Sequence, residues 1–322
     1  MVTLNYYSFD KILGSQYGTY TKLNNYYREV IDYCFEFYKH SNLKASTIQN
    51  RISGASNMFH YFQTLGYESF SNIEENAVVS YFVRDSKPLF SSSRRRSLHS
   101  ILIAASSKYP ECALIASWIP CIKYSRKNIQ YLTDIERDKL ISACKNSDNL
   151  TCMEKAIGNI LIYLGLRACD IAGLGIDDVD WNLETIHIKQ NKTNISFELP
   201  LLPEVGNSVL EYIEKERQSN SKYLFVRKNG KPIKVFDVYK CASTLFDAAG
   251  IRMNKGDRRG THIFRHKVAT KLLENKTPLP VISQTLGHTN PNSVQTYLNA
   301  DIKHTAMCAL DISMYPLNWE KN

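Results

Sequence analysis

The sequence predicts a mostly α-helical protein with one small antiparallel β-sheet in its C-terminal domain, an α+β chain of two domains. Apolar residues recur at helical spacing through the first third of the chain. Two runs of strand-like sequence, 185–190 and 196–201, flank a short polar turn and predict a β-hairpin. The length of 322 residues suffices for two domains of ordinary size.

The predicted boundary between the domains is a stretch without periodicity. Residues 119–130 contain Pro120 and a polar, basic run, which is typical of a linker. We therefore expect an all-helical domain over 1–118, with an additional N-terminal helix at about 22–40. The second domain is expected over 131–322.

The predicted helices of the second domain have clear signals at their ends. Thr133 and Glu136 have the spacing of a capping box, so a helix is expected to begin there. A helix from about 153 to 164 is expected to end at Gly165. After residue 301, apolar residues at helical spacing predict an amphipathic tail helix at about 302–313.

Composition excludes several classes of protein. A hydrophobic content of 43% and a charged content of 22% are those of a folded globular chain. The eight cysteines form no CxxC pair and favour reduced core residues in a cytoplasmic protein. The N-terminus is too polar for a signal peptide, and the longest apolar run is too short to span a membrane, so no membrane partner is expected. A net charge of +9 favours a polyanionic partner such as nucleic acid.

The stretch GTHIFRHKVAT, residues 260–270, holds a basic cluster. On a helix, His262, Arg265 and His266 project from one face, which carries no carboxylate. Such a cluster could hold a metal, pair with acids elsewhere, or bind an anion from outside the chain. A metal is disfavoured because no third ligand lies at a suitable distance and Arg265 would repel a cation. His266 is expected to support the helix, and the face is expected to be an open basic pocket.

The second domain carries a set of residues suited to a phosphate group. Guanidinium groups bind phosphate oxygens through paired N–H bonds, and such donors stabilise the charge of a pentavalent transition state. A tyrosine can act as the nucleophile where nearby cations favour its phenolate form. The candidate residues are Arg167, Lys192, His262, Arg265, His288 and Tyr297, with no cofactor or metal implied.

Four motifs in order resemble the tyrosine recombinases, also called phage integrases. YLGLRACDIAGLGIDDVDW is similar to the family's first-arginine motif, and IKQNKTNISFELPL to its lysine hairpin. THIFRHKVAT is similar to the family's His-x-x-Arg box, and LGHTNPNSVQTYLN to its His-to-Tyr box. Arg265 precedes His288 by 23 residues, and His288 precedes Tyr297 by nine. Lys189 is a rival to Lys192, but turn position and the distance to Pro200 favour Lys192.

The resemblance implies a role for each candidate. Tyr297 would attack the scissile phosphodiester and form a 3′-phosphotyrosyl link, without ATP or metal. Arg167 and Arg265 would bind the non-bridging oxygens, and Lys192 would protonate the leaving 5′ oxygen. The supporting roles implied are proton transfer for His262, a hydrogen bond to phosphate for His288, and orientation of the arginines for Asp170.

Basic residues of the first domain and the linker are expected to contact the DNA backbone. An arginine triplet is most often a solvated face, but here it follows serines at the start of a helix, and both residue types bind phosphate. The expected DNA contacts are Ser92, Ser93, Arg94, Arg95, Arg96, Lys123, Arg126 and Lys127.

The resemblance implies a two-domain clamp on double-stranded recombination sites, acting as a dimer to tetramer through exchange of the tail helix. Strand exchange would pass through a Holliday junction, and an accessory directionality factor or sister recombinases could take part. Integration or excision of a mobile element is the favoured function. A type IB topoisomerase, an Xer-type chromosome dimer resolvase and a catalytically silent DNA-binding protein remain alternatives.

Overall fold

The computed structural model describes residues 18–122, 132–190 and 196–287. The chain divides into two compact units, Met1–Arg126 and Lys127–Asn322, and each has its own apolar core. The predicted features that lie outside the described residues are Lys123, Arg126, Lys127, Lys192, His288, Tyr297 and the tail helix at 302–313.

Helices form most of the first unit. Asn24 and Ser91 cap two of them, because their side chains accept hydrogen bonds from the backbone N–H groups of Tyr27 and Arg94. Tyr27 is fully buried, and its ring stacks on Phe59 at a centroid distance of 5.4 Å in the core. The helices are α1 Asn25–Lys39, α2 Ala45–Thr64, α3 Glu75–Phe82, α4 Ser92–Ala105 and α5 Glu111–Ser117, after a 3-10 turn at Thr19–Lys22.

The expectation of an all-helical first domain needs one correction. Strands β1 (Val83–Arg84) and β2 (Lys87–Pro88) form a small antiparallel pair. Asp85 and Ser86 between them have positive φ angles of 49° and 58°, as a tight two-residue hairpin turn requires. Asp-Ser is a weak turn signal compared with Asn-Gly, so the sequence did not indicate this hairpin.

The second unit combines helices with a small sheet, which confirms the predicted mixture. Its sheet is antiparallel, in the order β3 (Val179–Asp180), β4 (Thr185–Lys189), β5 (Ser196–Pro200). The predicted hairpin is β4 and β5, whose register pairs Thr185 with Pro200 and Lys189 with Ser196. The helices are α6 Asp134–Asn146, α7 Cys152–Asn159, α8 Ala168–Gly173, α9 Pro203–Lys215, α10 Val235–Ala248, α11 His262–Glu274 and α12 Leu279–Thr285.

Gly165 determines how two of these helices meet. The capping box of Thr133 and Glu136 begins α6 as predicted, and α7 runs on through a π-helical turn, Ile160–Leu164, to Gly165. Gly165 has a φ of +60°, and a Cβ atom there would lie 3.2 Å from the Cα of Arg265. Helix α11 therefore packs directly on the end of this turn, which brings Arg265 to it.

Gly165→Ala is expected to lower the free energy of unfolding by about 2 kcal/mol, because alanine is strained in the left-handed region and would crowd α11. Urea unfolding of the purified chain measures this change. Gly173→Ala is the matched control, since a Cβ at Gly173 meets no atom within 4 Å. An equal loss of stability in the two variants would contradict the close contact inferred at Gly165.

Candidate active site

Arg167 stands at the N-terminus of α8, where the chain leaves the turn at Gly165. Its Nη2 donates to the carbonyl oxygen of Gly287 at 3.2 Å, and its Nη1 lies 3.9 Å from Oδ2 of Asp170. Asp170 is buried, and it lies one helical turn along α8. The carboxylate and the guanidinium are close enough for an ion pair, and the orienting role of Asp170 stays a prediction.

Arg265 is buried on α11, with 4% of its surface exposed. Its Nη1 donates to the carbonyl oxygen of Gly165 at 3.2 Å, and its Nη2 donates to that of Leu286. Each carbonyl stands at the C-terminal end of a helical segment, where the backbone dipoles place partial negative charge. Two helix ends therefore stabilise this buried cation.

The two arginines converge on one short piece of backbone. Leu286 accepts from Arg265, and the next residue, Gly287, accepts from Arg167. Arg167 and Arg265 are 98 residues apart in sequence, yet they bind neighbouring carbonyls. His288 follows Gly287 in the sequence and lies outside the described residues. Two of the predicted catalytic residues are thus together, beside the segment that leads to a third.

The base of the β4–β5 hairpin reaches the same piece of backbone. Gln190, which follows β4, is buried, and its Nε2 donates to the carbonyl oxygen of Leu286 at 3.2 Å. Lys189 is exposed on the opposite side of the strand, as expected from the alternation of side chains. Lys192 lies two residues beyond Gln190, in the segment 191–195 outside the described residues. Sequence reasoning missed Gln190, because an amide at a strand end carries no local signal.

The two histidines of α11 have different surroundings. His262 is exposed at the first position of the helix, whereas His266 is half-buried, with a ring centroid 6.5 Å from that of His262. Burial lowers the pKa of His266 from its ordinary value of 6.5 to about 4, and the nearby charges of His262, Arg265 and Arg258 act in the same direction. His266 is therefore neutral at pH 7, as suits a packing residue.

The depressed pKa of His266 makes stability depend on pH. The folded-state pKa is about 4 and the ordinary value is 6.5, so the unfolded chain binds the proton first as pH falls. The free energy of unfolding is expected to be highest above pH 6.5 and to decrease towards pH 4. Urea unfolding at several pH values measures this decrease, which should be shallower in His266→Gln. Identical pH profiles for both proteins would contradict the assignment.

The expectation of an open basic pocket is wrong at Arg265. Its guanidinium is buried and bound to two backbone carbonyls, and Arg167 is bound to a third and faces Asp170. The sequence-based expectation named only an external anion as the partner of these arginines, whereas in the structure backbone carbonyl oxygens accept hydrogen bonds from them. The carbonyls therefore orient each arginine within the second unit.

The predicted DNA contacts at the start of α4 differ in how far they are exposed to solvent. Ser92, Ser93 and Arg96 are exposed at the start of α4, and Arg94 is partly exposed, with its guanidinium 5.7 Å from the ring centroid of Phe90. Arg95 is buried, and its Nη2 donates to the carbonyl oxygen of Ile122. The expected phosphate contact of Arg95 is therefore corrected to a contact within its own unit, because helical rotation turns the middle arginine inward.

Comparison with known proteins gives the same class as the fold. The phage integrase family matches residues 130–304, which is more than half of the chain. The integrase/recombinase y4gC of Sinorhizobium fredii is 33% identical over 183 residues, covering 55% of this chain and 94% of that protein. Tyrosine recombinase XerH of Campylobacter jejuni is 28% identical over 193 residues, covering 57% of this chain but only 53% of that protein.

Solved structures share the fold over most of the chain. The Tn1549 transposon integrase in complex with transposon right-end DNA aligns with a TM-score of 0.63 and 15% identity, covering 87% of this chain and 99% of that one. XerH bound to palindromic difH in a post-cleavage complex gives a TM-score of 0.63 and 18% identity, covering 90% and 91%. In the residues that the structure describes, no helix is long and apolar enough to cross a membrane.

The match to the phage integrase family and the similarity to tyrosine recombinases show a tyrosine-type site-specific recombinase, and the mostly helical two-unit fold agrees with this class. The chain belongs to the phage integrase family.

Proposed function

We propose that the chain integrates or excises a mobile element by cutting and rejoining duplex DNA at specific sites. The observation that carries this proposal is the convergence of Arg167 and Arg265 on the adjacent carbonyls of Leu286 and Gly287. Two oriented guanidiniums supply the charge and paired donors that a phosphoryl transition state requires. The motif order implies that the other members of the site are Lys192, His262, His288 and Tyr297.

The proposed cleavage is a transesterification at phosphorus. The phenolic oxygen of Tyr297 bonds to phosphorus as the bond from phosphorus to the 5′ oxygen breaks. The phenolic proton leaves with help from His262, and Lys192 delivers a proton to the 5′ oxygen. Arg167, Arg265 and His288 hold the non-bridging oxygens. Since the 3′-phosphotyrosyl link conserves the energy of the broken bond, rejoining to a partner strand needs no ATP, and no metal or other cofactor is part of the proposal.

Double-stranded DNA is the proposed partner, contacted in the first unit by the start of α4. Ser92, Ser93 and Arg96 are exposed there, and the N-terminal end of a helix favours phosphate. Strand exchange between two sites requires several copies, and we propose a tetramer on DNA joined by the segment 302–313. Because the proposed substrate is chromosomal or element DNA, we propose that the protein acts in the cytoplasm.

An Xer-type role in resolving chromosome dimers is the second candidate, favoured by the similarity to XerH of Campylobacter jejuni. The two functions use the same chemistry and differ in the DNA that is recognised. Neither the exposed serines nor the arginine pair distinguishes one DNA sequence from another.

Recombination of purified protein with supercoiled plasmids tests the proposal. One plasmid carries two copies of the junction formed by the ends of the element that surrounds the gene, and another carries two copies of the host's chromosome dimer site. The proposal predicts recombinant circles from the first plasmid. Recombination of the second alone would establish the Xer-type role, and relaxation of any plasmid without a specific site would indicate a topoisomerase.

A further inference from the structure

The β1–β2 hairpin carries two cations that face each other. Arg84 and Lys87 are both exposed, and the register places them directly opposite across the two strands. Side chains paired in this way lie on one face of a hairpin, and like charges in such a pair are destabilising. Among the residues that the structure describes, neither side chain has an ion pair or a hydrogen bond that would offset the repulsion. The pair therefore weakens the hairpin, and the fold alone gives no reason for it.

The turn between the two cations is also unfavourable. Asp85 and Ser86 have φ angles of 49° and 58°, in the left-handed region that is strained for residues with a Cβ atom. Asn-Gly suits such a turn much better than Asp-Ser. Backbone strain that persists in a folded protein is concentrated at active sites and ligand-binding elements. A strained turn between two opposed cations thus indicates an anionic ligand for this hairpin.

The alternation of side chains separates the hairpin into two faces. Val83 and Pro88 form the other cross-strand pair, and Val83 packs against the apolar core of the first unit. Successive side chains of a strand point to opposite faces, so Arg84 and Lys87 point away from this core. The positive charge of the hairpin is therefore presented to solvent, where an anion can reach both side chains.

Aromatic packing joins the hairpin to the start of α4. The ring of Phe90, which follows β2, has its centroid 5.0 Å from that of Tyr81, which lies near the end of α3. The guanidinium of Arg94, in the first turn of α4, lies 5.7 Å from the same Phe90 ring centroid. Lys87 and Ser92 are separated by five residues of chain, which span at most about 18 Å. The two cations and the exposed start of α4 thus belong to one region of the first unit.

The backbone of duplex DNA is the polyanion that suits a region of this length. Each strand carries a phosphate about every 3.4 Å along the helix axis, so about 18 Å covers roughly five phosphates of one strand. A guanidinium binds phosphate oxygens through paired N–H bonds, and a lysine ammonium binds them as a point charge. Such contacts position a protein on DNA and carry no sequence information.

We propose that the β1–β2 hairpin is a second phosphate-binding element of the first unit, in which Arg84 and Lys87 each bind a DNA phosphate near those contacted by the start of α4. The inference rests on the proposed function in taking duplex DNA as the partner, but it does not depend on the chemistry of the candidate active site. A phosphate beside the two cations replaces their repulsion by attraction, so the hairpin is more stable on DNA than in the free protein.

Arg84→Gln and Lys87→Gln, separately and together, test the proposal. The Kd for a labelled duplex that carries the junction of the element's ends is measured by fluorescence anisotropy at several salt concentrations. Each phosphate contact contributes about 0.9 to the slope of log Kd against log salt, so each single change should lower the slope by about 0.9 and the double change by about 1.8. Without DNA, the thermal unfolding temperature of the double variant should equal or exceed that of wild type, because the like-charge pair is gone.

Two control variants separate this role from net charge and from the shape of the hairpin. Lys108→Gln removes the same charge beyond the other end of α4, where the ammonium lies 5.3 Å from the ring centroid of Tyr109, and it should leave the salt slope unchanged. Ser86→Gly relieves the strained turn, so it should raise the unfolding temperature and leave DNA affinity unchanged. An unchanged slope in the double variant, or an equal decrease in Lys108→Gln, would overturn the proposal.

The unfolding temperature also decides against a purely structural role. A double variant that unfolds at a lower temperature than wild type and keeps the wild-type slope would show that the cations stabilise the fold, which contradicts the inference. A failure of the proposed function would be distinct, because wild type would then bind the junction duplex no better than a duplex of scrambled sequence. The salt slopes on either duplex would still test the hairpin, since phosphate contacts do not depend on the bases.

Discussion

Arg265→Lys is expected to slow single-turnover DNA cleavage by about 100- to 1,000-fold, the usual cost of losing one donor to a developing oxyanion. Lysine keeps the positive charge, but its single ammonium cannot serve the carbonyls of Gly165 and Leu286 and a phosphate oxygen together. The loss is therefore one of geometry rather than of charge, and duplex binding should be retained. Cleavage of a nicked suicide duplex at saturating protein measures the rate.

Arg217→Lys is the matched control for this substitution. Arg217 also donates to backbone carbonyls, those of Ser219, Ser221, Tyr223 and Leu224, but it belongs to a loop outside the candidate site. Its replacement should lower the stability of the fold and leave the cleavage rate of the folded protein unchanged. Equal cleavage rates for Arg265→Lys and wild type would show that Arg265 has only a structural role.

Tyr297→Phe is expected to abolish covalent protein–DNA adducts, a loss of at least about 10⁴-fold as for other nucleophile deletions. The change removes one oxygen and keeps the ring, so the folded protein should still bind duplex DNA. Adducts that survive denaturing electrophoresis after incubation with a suicide duplex measure the loss.

Tyr163→Phe serves as the control for the tyrosine change. Tyr163 is half-buried beside the core, with the Arg137 guanidinium 5.5 Å from its ring centroid, and burial raises its pKa above the ordinary value. Its phenol is thus held in the neutral form, which does not suit a nucleophile. Adduct formation by Tyr297→Phe, or its loss in Tyr163→Phe, would contradict the assignment of the nucleophile.

Local signals predicted much of this fold. The capping box of Thr133 and Glu136 begins α6, and Gly165 ends a helical segment in the left-handed conformation. The alternating runs at 185–190 and 196–201 form the predicted hairpin. Each of these features depends on hydrogen bonds or backbone preferences within a few residues, which is why the sequence alone indicates them.

The contacts that build the candidate site depend on long-range packing. Arg265 meets Gly165 across 100 residues of chain, and Gln190 meets Leu286 across 96, so no local pattern encodes either pair. Motif order identified Arg167 and Arg265, but the sequence indicated only DNA as their negatively charged partner. In the structure, backbone carbonyls at helix ends also accept hydrogen bonds from them. The inward orientation of Arg95, which binds the Ile122 carbonyl of the same unit, cannot be read from an arginine triplet.

Mapping the covalent adduct tests the central claim that this site transfers a phosphoryl group to Tyr297. The protein is trapped on a nicked duplex, digested with protease and nuclease, and the nucleotide-bearing peptide is sequenced by mass spectrometry. A 3′-phosphoryl group on Tyr297, with a free 5′-hydroxyl on the released strand, is the predicted result. A link to another residue, or to a 5′ phosphate, would contradict the account.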